Sequence, residues 1–171
     1  MSQKALFFDR DGVLNEDAGY LYRYEDVHWI PGARELIGEL CRRGWLLFVV
    51  TNQSGVARGF YTEEDVKRLH ETMDAEFRKF GGHITEYFYC PHLAGAPVSA
   101  YDVDCDCRKP KPGMITAAMK KYGLLPEDCI LIGDSARDIE AAEAAGIRGF
   151  LFQEDNLYDF AMKCVSGNEM K

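Results

Sequence analysis

The 171-residue sequence predicts an α/β fold in one domain over residues 1–171, a doubly wound parallel sheet with helices on both faces. Two observations predict it. Short apolar runs alternate with stretches of helical periodicity, and no linker, repeat or low-complexity segment interrupts the alternation. The hydrophobic fraction of 47% and charged fraction of 28% belong to an ordinary soluble domain, and this length buries roughly two-thirds of the unfolded surface.

Taken in order, Ala5-Leu6-Phe7-Phe8 reads as a buried strand that stops at Asp9. Pro31-Gly32 opens a helix with Leu36, Ile37 and Leu40 on one face, closed by Gly44. Trp45–Val50 is a second buried strand, followed by a polar loop, Thr51-Asn52-Gln53-Ser54-Gly55. Thr62 caps a helix carrying Val66, Leu69, Met73 and Phe77, with Asp65 three residues on completing something close to a capping box. Glu86–Tyr89 is a third, weaker strand, and residues 90–112 show no periodicity. Met114–Tyr122 is helical, Ile130–Ile132 is a strand ending at Gly133-Asp134, Ile139–Ala145 is a helix closed by Gly146, and Gly149–Phe152 is a last strand. In such a sheet, ligands bind beyond the carboxyl ends of the strands, where Asp9, Thr51, Lys109 and Asp134 all fall.

Charge and cysteine content narrow the function classes. A net charge of −8 opposes general affinity for nucleic acid or anionic membrane. The apolar run after the N-terminus is too short for a signal peptide, no stretch approaches a membrane span, and a cytoplasmic protein is expected. No oligomerisation signal is present, so a monomer is expected. Six cysteines in a reducing compartment favour metal over disulfides. Cys90, His92, Cys105 and Cys107 bracket the loop that lacks periodicity and suit tetrahedral Zn²⁺, with a disulfide from Cys90 to Cys105 or Cys107 as the competing reading. Cys41, Cys129 and Cys164 lack a partner pattern, and His28, His70 and His83 read as structural or surface residues.

Asp9-Arg10-Asp11-Gly12 places two carboxylates two residues apart at a strand end, where period-two geometry aims both to one side. A phosphomonoester needs a positioned nucleophile, charge neutralisation and a proton donor, and such a pair supplies the first and the last. Asp134 offers a third carboxylate suited to Mg²⁺, and Asp138 either supports that site or lies on the next helix.

Four motifs, Asp9–Asn15, Thr51–Gly55, Arg108–Met114 and Gly133–Asp138, together resemble the haloacid dehalogenase superfamily of phosphotransferases over about residues 4–152. They are most similar to the branch containing heptose-bisphosphate and histidinol-phosphate phosphatases. The resemblance implies that Asp9 is the nucleophile and that Asp11 is the acid and then the base. It implies Mg²⁺ ligation by Asp9, Asp134 and the main-chain carbonyl of Asp11. Thr51 and Asn52 would hold the transferring phosphoryl group, with Lys109 neutralising its charge. A similar zinc loop in that branch matches Cys90, His92, Cys105 and Cys107 and implies a structural Zn²⁺ that positions Arg108 and Lys109. No insertion is large enough for the cap domain usual in the superfamily.

The resemblance implies a small phosphorylated sugar as substrate, with loss of the C7 phosphate of a heptose 1,7-bisphosphate in nucleotide-activated heptose biosynthesis; histidinol phosphate is the alternative. Asp17, Gly19 and Tyr20 resemble the sugar-contacting loop, Gln53, Ser54 and Arg108 are candidates for substrate oxygens, and Arg58 for a distal phosphate. Ser135 stands where some heptose-bisphosphate phosphatases carry lysine, with Arg137 two residues on. A receiver-like phospho-binding module is the reading from another class; Asp11 argues against it, because a base beside a phospho-aspartate shortens its life.

Overall fold

A computed structural model of the chain describes residues 2–169. Strands β1 (Ala5–Phe8), β2 (Leu46–Asn52), β3 (Glu86–Cys90), β4 (Cys129–Gly133) and β5 (Arg148–Leu151) pair in parallel in the order β3-β2-β1-β4-β5. Helices α1 (Ala33–Arg42), α2 (Glu63–Lys79), α3 (Gly113–Tyr122), α4 (Ala136–Ala144) and α5 (Leu157–Glu169) cover both faces.

The apolar strand runs have their cause in this burial. Leu6, Phe8, Leu47, Val49, Ile130 and Ile132 point to one face, against Leu36 of α1, Phe77 of α2 and Val165 of α5. Their alternate neighbours Ala5, Phe7, Phe48, Val50 and Leu131 meet Ile115 of α3 and Ala142 of α4 on the other. Each Leu, Ile or Phe so buried contributes about 1.5–3 kcal/mol, which outweighs the weak intrinsic preferences of such short elements.

Beyond shifts of about one residue at several element ends, three features differ from the sequence expectation. β2 runs on through Thr51 and Asn52, because both pair with β3 at Tyr89 and Cys90. α4 starts at Ala136 rather than Ile139, since Ser135 and Asp138 form a reciprocal capping box ahead of the first apolar position. The helix α5 was not anticipated; it places Leu157, Ala161, Cys164 and Val165 on one buried stripe, and the Asn156 side chain accepts from the Asp159 N–H at its start. No helix among the described residues is long and apolar enough to cross a membrane.

The chain turns to opposite sides of β1 on leaving it and on returning through β4, which makes the β1/β4 carboxyl edge the topological switch point. Asp9 and Asp134 emerge there.

Candidate active site

Asp9 directly follows β1, and its N–H still donates to the Ile132 carbonyl at 3.1 Å, so the sheet itself fixes this residue. Its Oδ1 accepts from the Arg10 N–H at 2.9 Å and from Lys109 Nζ at 2.9 Å. Lys109 Nζ also lies 2.6 Å from Asp138 Oδ1, so one buried ammonium bridges two carboxylates. The remaining Asp138 oxygen, Oδ2, accepts the N–H groups of Asp134 and Ser135 and the Ser135 hydroxyl. Asp138 is thereby committed to holding Lys109 and capping α4.

The electrostatics of this group leave it short of positive charge. Burial, above all, pushes Asp9 up to about 8, with Lys109 opposing and Asp138 and Asp134 adding to the rise. Burial likewise raises Asp134, to which Asp138 adds. Burial works against the Lys109 charge, but Asp9 and Asp138 outweigh it and hold the ammonium above its ordinary range. Asp9, Asp134 and Asp138 bring carboxylate oxygens within 4.8 Å of one another. A hard-oxygen donor set with one lysine against three carboxylates fits a divalent cation such as Mg²⁺. Gly12 makes the room: with φ +92°, it lets Asp134 come so close that a Cβ there would stand 1.9 Å from Asp134 Oδ2.

Asp11 sits in different surroundings. Its Oδ1 accepts from Arg10 Nε at 3.1 Å and Asn15 Nδ2 at 3.0 Å, and its Oδ2 from Arg10 Nη2 at 3.1 Å and Gln53 Nε2 at 3.2 Å. Gln53 donates as well to Thr51 Oγ1 at 2.8 Å and accepts from the Tyr61 hydroxyl.

The irregular loop supplies the other wall. Sγ atoms of Cys90, Cys105 and Cys107 lie 3.0–3.4 Å apart, and His92 Nδ1 is 3.8 Å from Cys90 Sγ and 3.7 Å from Cys107 Sγ. All six cysteines are free thiols, which removes the disulfide reading, and the three-sulfur, one-nitrogen set fits tetrahedral Zn²⁺. Two residues on from Cys107, the Asn52 side chain clasps the Lys109 backbone, its Oδ1 accepting the Lys109 N–H at 3.0 Å and its Nδ2 donating to the Lys109 carbonyl at 3.1 Å.

The sequence matches the haloacid dehalogenase-like hydrolase family over residues 15–146. The chain belongs to that family. Among curated relatives, the hydrolase is 43% identical to the D-glycero-beta-D-manno-heptose-1,7-bisphosphate 7-phosphatase of Rhodopseudomonas palustris, over 94% of this chain and 89% of the relative. It is also 43% identical to the D-glycero-alpha-D-manno-heptose-1,7-bisphosphate 7-phosphatase of Campylobacter jejuni, over 86% of this chain and 80% of the relative. Its fold superposes with a TM-score of 0.83 on the crystal structure of D,D-heptose 1,7-bisphosphate phosphatase from B. bronchiseptica complexed with magnesium and phosphate, at 29% identity and over 96% of this chain and 99% of that one.

In this hydrolase, one cavity of about 380 Å³ is lined by Asp9, Asp11, Asp17, Gly19, Tyr20, Thr51, Asn52, Gln53, Ser54, Arg58, Arg108, Lys109, Asp134 and Ser135. These are all the residues that the sequence nominates for catalysis, Mg²⁺ or substrate. The Cys–His cluster of Cys90, His92, Cys105 and Cys107 stands apart, and Arg108 Nη1 reaches back to the His92 carbonyl at 3.5 Å. Two nominations carry local duties in the structure: the Asn52 amide is engaged with Lys109, and the Ser135 hydroxyl caps α4. Gly19 and Tyr20 both take positive φ, 68° and 53°, after the Asp17 carboxylate accepts the Gly19 N–H, and this turn lays the exposed Tyr20 ring edge-on to Phe60, 4.8 Å away.

Sequence reasoning missed three residues. Tyr61 lines the cavity and orients Gln53, and Arg137 completes its rim. Arg10 is fully buried behind Asp11, with His70 beside it, a surprise for a residue type that is almost always exposed. Its only sequence signal is adjacency to the two carboxylates.

Proposed function

We propose that this hydrolase is a Mg²⁺-dependent phosphatase that removes the 7-phosphate of a D-glycero-D-manno-heptose 1,7-bisphosphate through a phospho-aspartate on Asp9. The observation that carries this reading is the Lys109 ammonium, which lies 2.9 Å from Asp9 and 2.6 Å from Asp138 beside the convergent Asp134. A carboxylate so placed attacks phosphorus within reach of both a fixed cation and a metal-ready oxygen pair.

In the first half-reaction an Asp9 oxygen bonds to phosphorus, the P–O bond to the sugar breaks, and the departing alkoxide takes a proton from Asp11. In the second, water bonds to phosphorus, its proton passes to Asp11, and the Asp9–phosphorus bond breaks to regenerate the carboxylate and release inorganic phosphate. Asp9, Asp134 and the Asp11 carbonyl would hold Mg²⁺, which, when bound, neutralises charge on the phosphoryl oxygens. Lys109 and the Thr51 hydroxyl face the same oxygens, while Asn52 keeps Lys109 in place.

Cys90, His92, Cys105 and Cys107 are read as a structural Zn²⁺ site whose four ligands leave no open position for substrate. Its thiols require a reducing compartment, which accords with a cytoplasmic enzyme. The choice of a bisphosphate over histidinol phosphate rests on the cavity rim. Arg58, Arg108 and Arg137 line it, and among the described residues none of them pairs with a carboxylate, which favours a second anionic group over an amine and imidazole. Tyr20, Ser54 and Gln53 supply the neutral contacts for the sugar.

The test is phosphate release from both anomers of the heptose bisphosphate, histidinol phosphate and a simple sugar monophosphate, with Mg²⁺ and with EDTA. A heptose bisphosphate is expected to show the highest kcat/KM, and EDTA to abolish turnover. A preference for histidinol phosphate would overturn the substrate while leaving the chemistry intact.

A further inference from the structure

Arg10 touches no solvent and does not line the cavity, yet two of its contacts go to Asp11. Nε meets Asp11 Oδ1 and Nη2 meets Asp11 Oδ2, both at 3.1 Å, a two-point fork that fixes the carboxylate plane as well as its position. The guanidinium is anchored in turn from behind. Nη2 donates to the Leu21 carbonyl at 3.0 Å, and Nη1 lies 3.2 Å from His70 Nε2. Arginine has donors only, so His70 Nε2 accepts and the ring is a neutral imidazole carrying its hydrogen on Nδ1. Burial and the Arg10 charge push His70 well below its ordinary range, in agreement. The ring itself is fixed by stacking on Tyr87 at 4.6 Å.

Of the donors on Asp11, Arg10 and Asn15 lie outside the cavity lining and Gln53 lies within it. Gln53 is thus the one donor that a water entering from the substrate side would meet at Oδ2, whereas the fork holds the carboxylate from behind.

We propose that Arg10, braced by His70, is a positioning residue that aims Asp11 at the water in the hydrolysis of phospho-Asp9. The proposal rests on the reading of Asp11 as the proton-transfer group. Both Asp11 oxygens are held by donors, so the fork sustains the side chain as an acceptor, the role it has toward the attacking water. The water oxygen bonds to phosphorus, one water proton moves to Asp11, and the electron pair of the breaking phosphorus–oxygen bond returns to Asp9.

Rapid-quench kinetics with p-nitrophenyl phosphate and Mg²⁺ separate the half-reactions, because p-nitrophenolate departs without a proton and the first step then needs little from Asp11. The enzymes compared are wild type, Arg10→Lys, His70→Leu, His70→Gln and Asp11→Asn. Lysine keeps the charge and loses the fork. Arg10→Lys is expected to release a burst of p-nitrophenolate close to one per active site and then turn over roughly 10²-fold more slowly, with phospho-Asp9 accumulating. His70→Leu is expected to show the same burst with a loss of roughly tenfold. His70→Gln, which restores an acceptor for Nη1, recovers most of that loss.

A purely structural role for Arg10 would lower burst amplitude and turnover together, by reducing the number of folded sites. That result in Arg10→Lys and in both His70 variants overturns the proposal, and the His70 pair decides alone should Arg10→Lys fail to fold. The Asp11→Asn control keeps the two readings apart. Absence of phospho-enzyme there sinks the Asp11 assignment itself; its presence there, with no accumulation in the Arg10 and His70 variants, sinks only the inference.

Discussion

The two walls of the cavity are held by different physics. Asp9 and Asp134 extend directly from β1 and β4, and the sheet ladder continues past the strands, with the Asp9 N–H on Ile132 and the Phe152 N–H on Gly133. Residues 91–112 have no strand and only one helical turn, Ser99–Tyr101, yet they deliver Lys109 to within 2.9 Å of Asp9. Side chains order this wall. The Cys–His cluster joins the end of β3 to Cys105 and Cys107, Asn52 clasps Lys109, and Glu63 of α2 accepts from the Tyr89 and Tyr101 hydroxyls. A wall built on main-chain pairing keeps its shape when one side chain changes. A wall built on four converging ligands does not.

Two substitutions set the walls against each other. The largest effect is expected on the sheet side: Asp9→Asn should lower phosphatase kcat by roughly 10⁴-fold or more and abolish phospho-enzyme, while circular dichroism stays that of the wild type. Robust turnover in that variant would remove Asp9 from the chemistry. On the loop side, Cys107→Ala should lose the bound zinc, measured by atomic absorption, together with roughly 10²-fold in kcat/KM, because Arg108 and Lys109 follow the lost ligand directly. Helix content should persist, since α1, α2 and α5 are held by the core around Leu6, Phe8 and Val49, to which the Cys–His cluster does not belong. Full activity in a zinc-free protein would separate the loop from catalysis.

The same division decided what the sequence could reveal. β1 was legible to the residue, because Ala5–Phe8 is apolar on both faces and ends at a carboxylate. Tyr61 and Arg137, which also line the cavity, were not nominated, whereas Asp9, Thr51 and Asp134 were legible as motifs at strand ends, and Arg108 and Lys109 as a motif in the irregular loop. Contacts between distant residues were not: the Asn52 clasp reaches across 57 residues and the Arg10–His70 contact across 60, and neither leaves a periodic trace. Thr51 and Asn52 read as loop because polar residues at a strand end resemble a turn, and only pairing with β3 makes them strand. The α5 helix went unseen because its cap, Asn156, and its stripe of Leu157, Ala161 and Val165 lie beyond the last recognisable motif; Leu157 and Val165 are nevertheless fully buried.

The finest test of the sheet wall is a proton–metal linkage. In the cation-free fold Asp9 is raised from 3.8 to about 8, chiefly by burial. Between those values the folded chain holds a proton that the unfolded chain has released. The stabilisation is complete below the lower value and is lost as pH rises through the upper one. Asp134, also raised, acts with the same sign, whereas Asp138 is held low, chiefly by Lys109 against burial, and its contribution is lost only in more acidic solution. Mg²⁺ held by Asp9 and Asp134, as proposed, would replace the proton, so the cation is expected to stabilise most where the proton is absent. The Mg²⁺-induced rise in Tm is therefore expected to be larger near pH 8 than near pH 5, by a few °C, and Asp9→Asn should flatten the difference. A Mg²⁺ effect of equal size at both pH values would place the cation away from Asp9, and with it the charge balance on which the sheet wall depends.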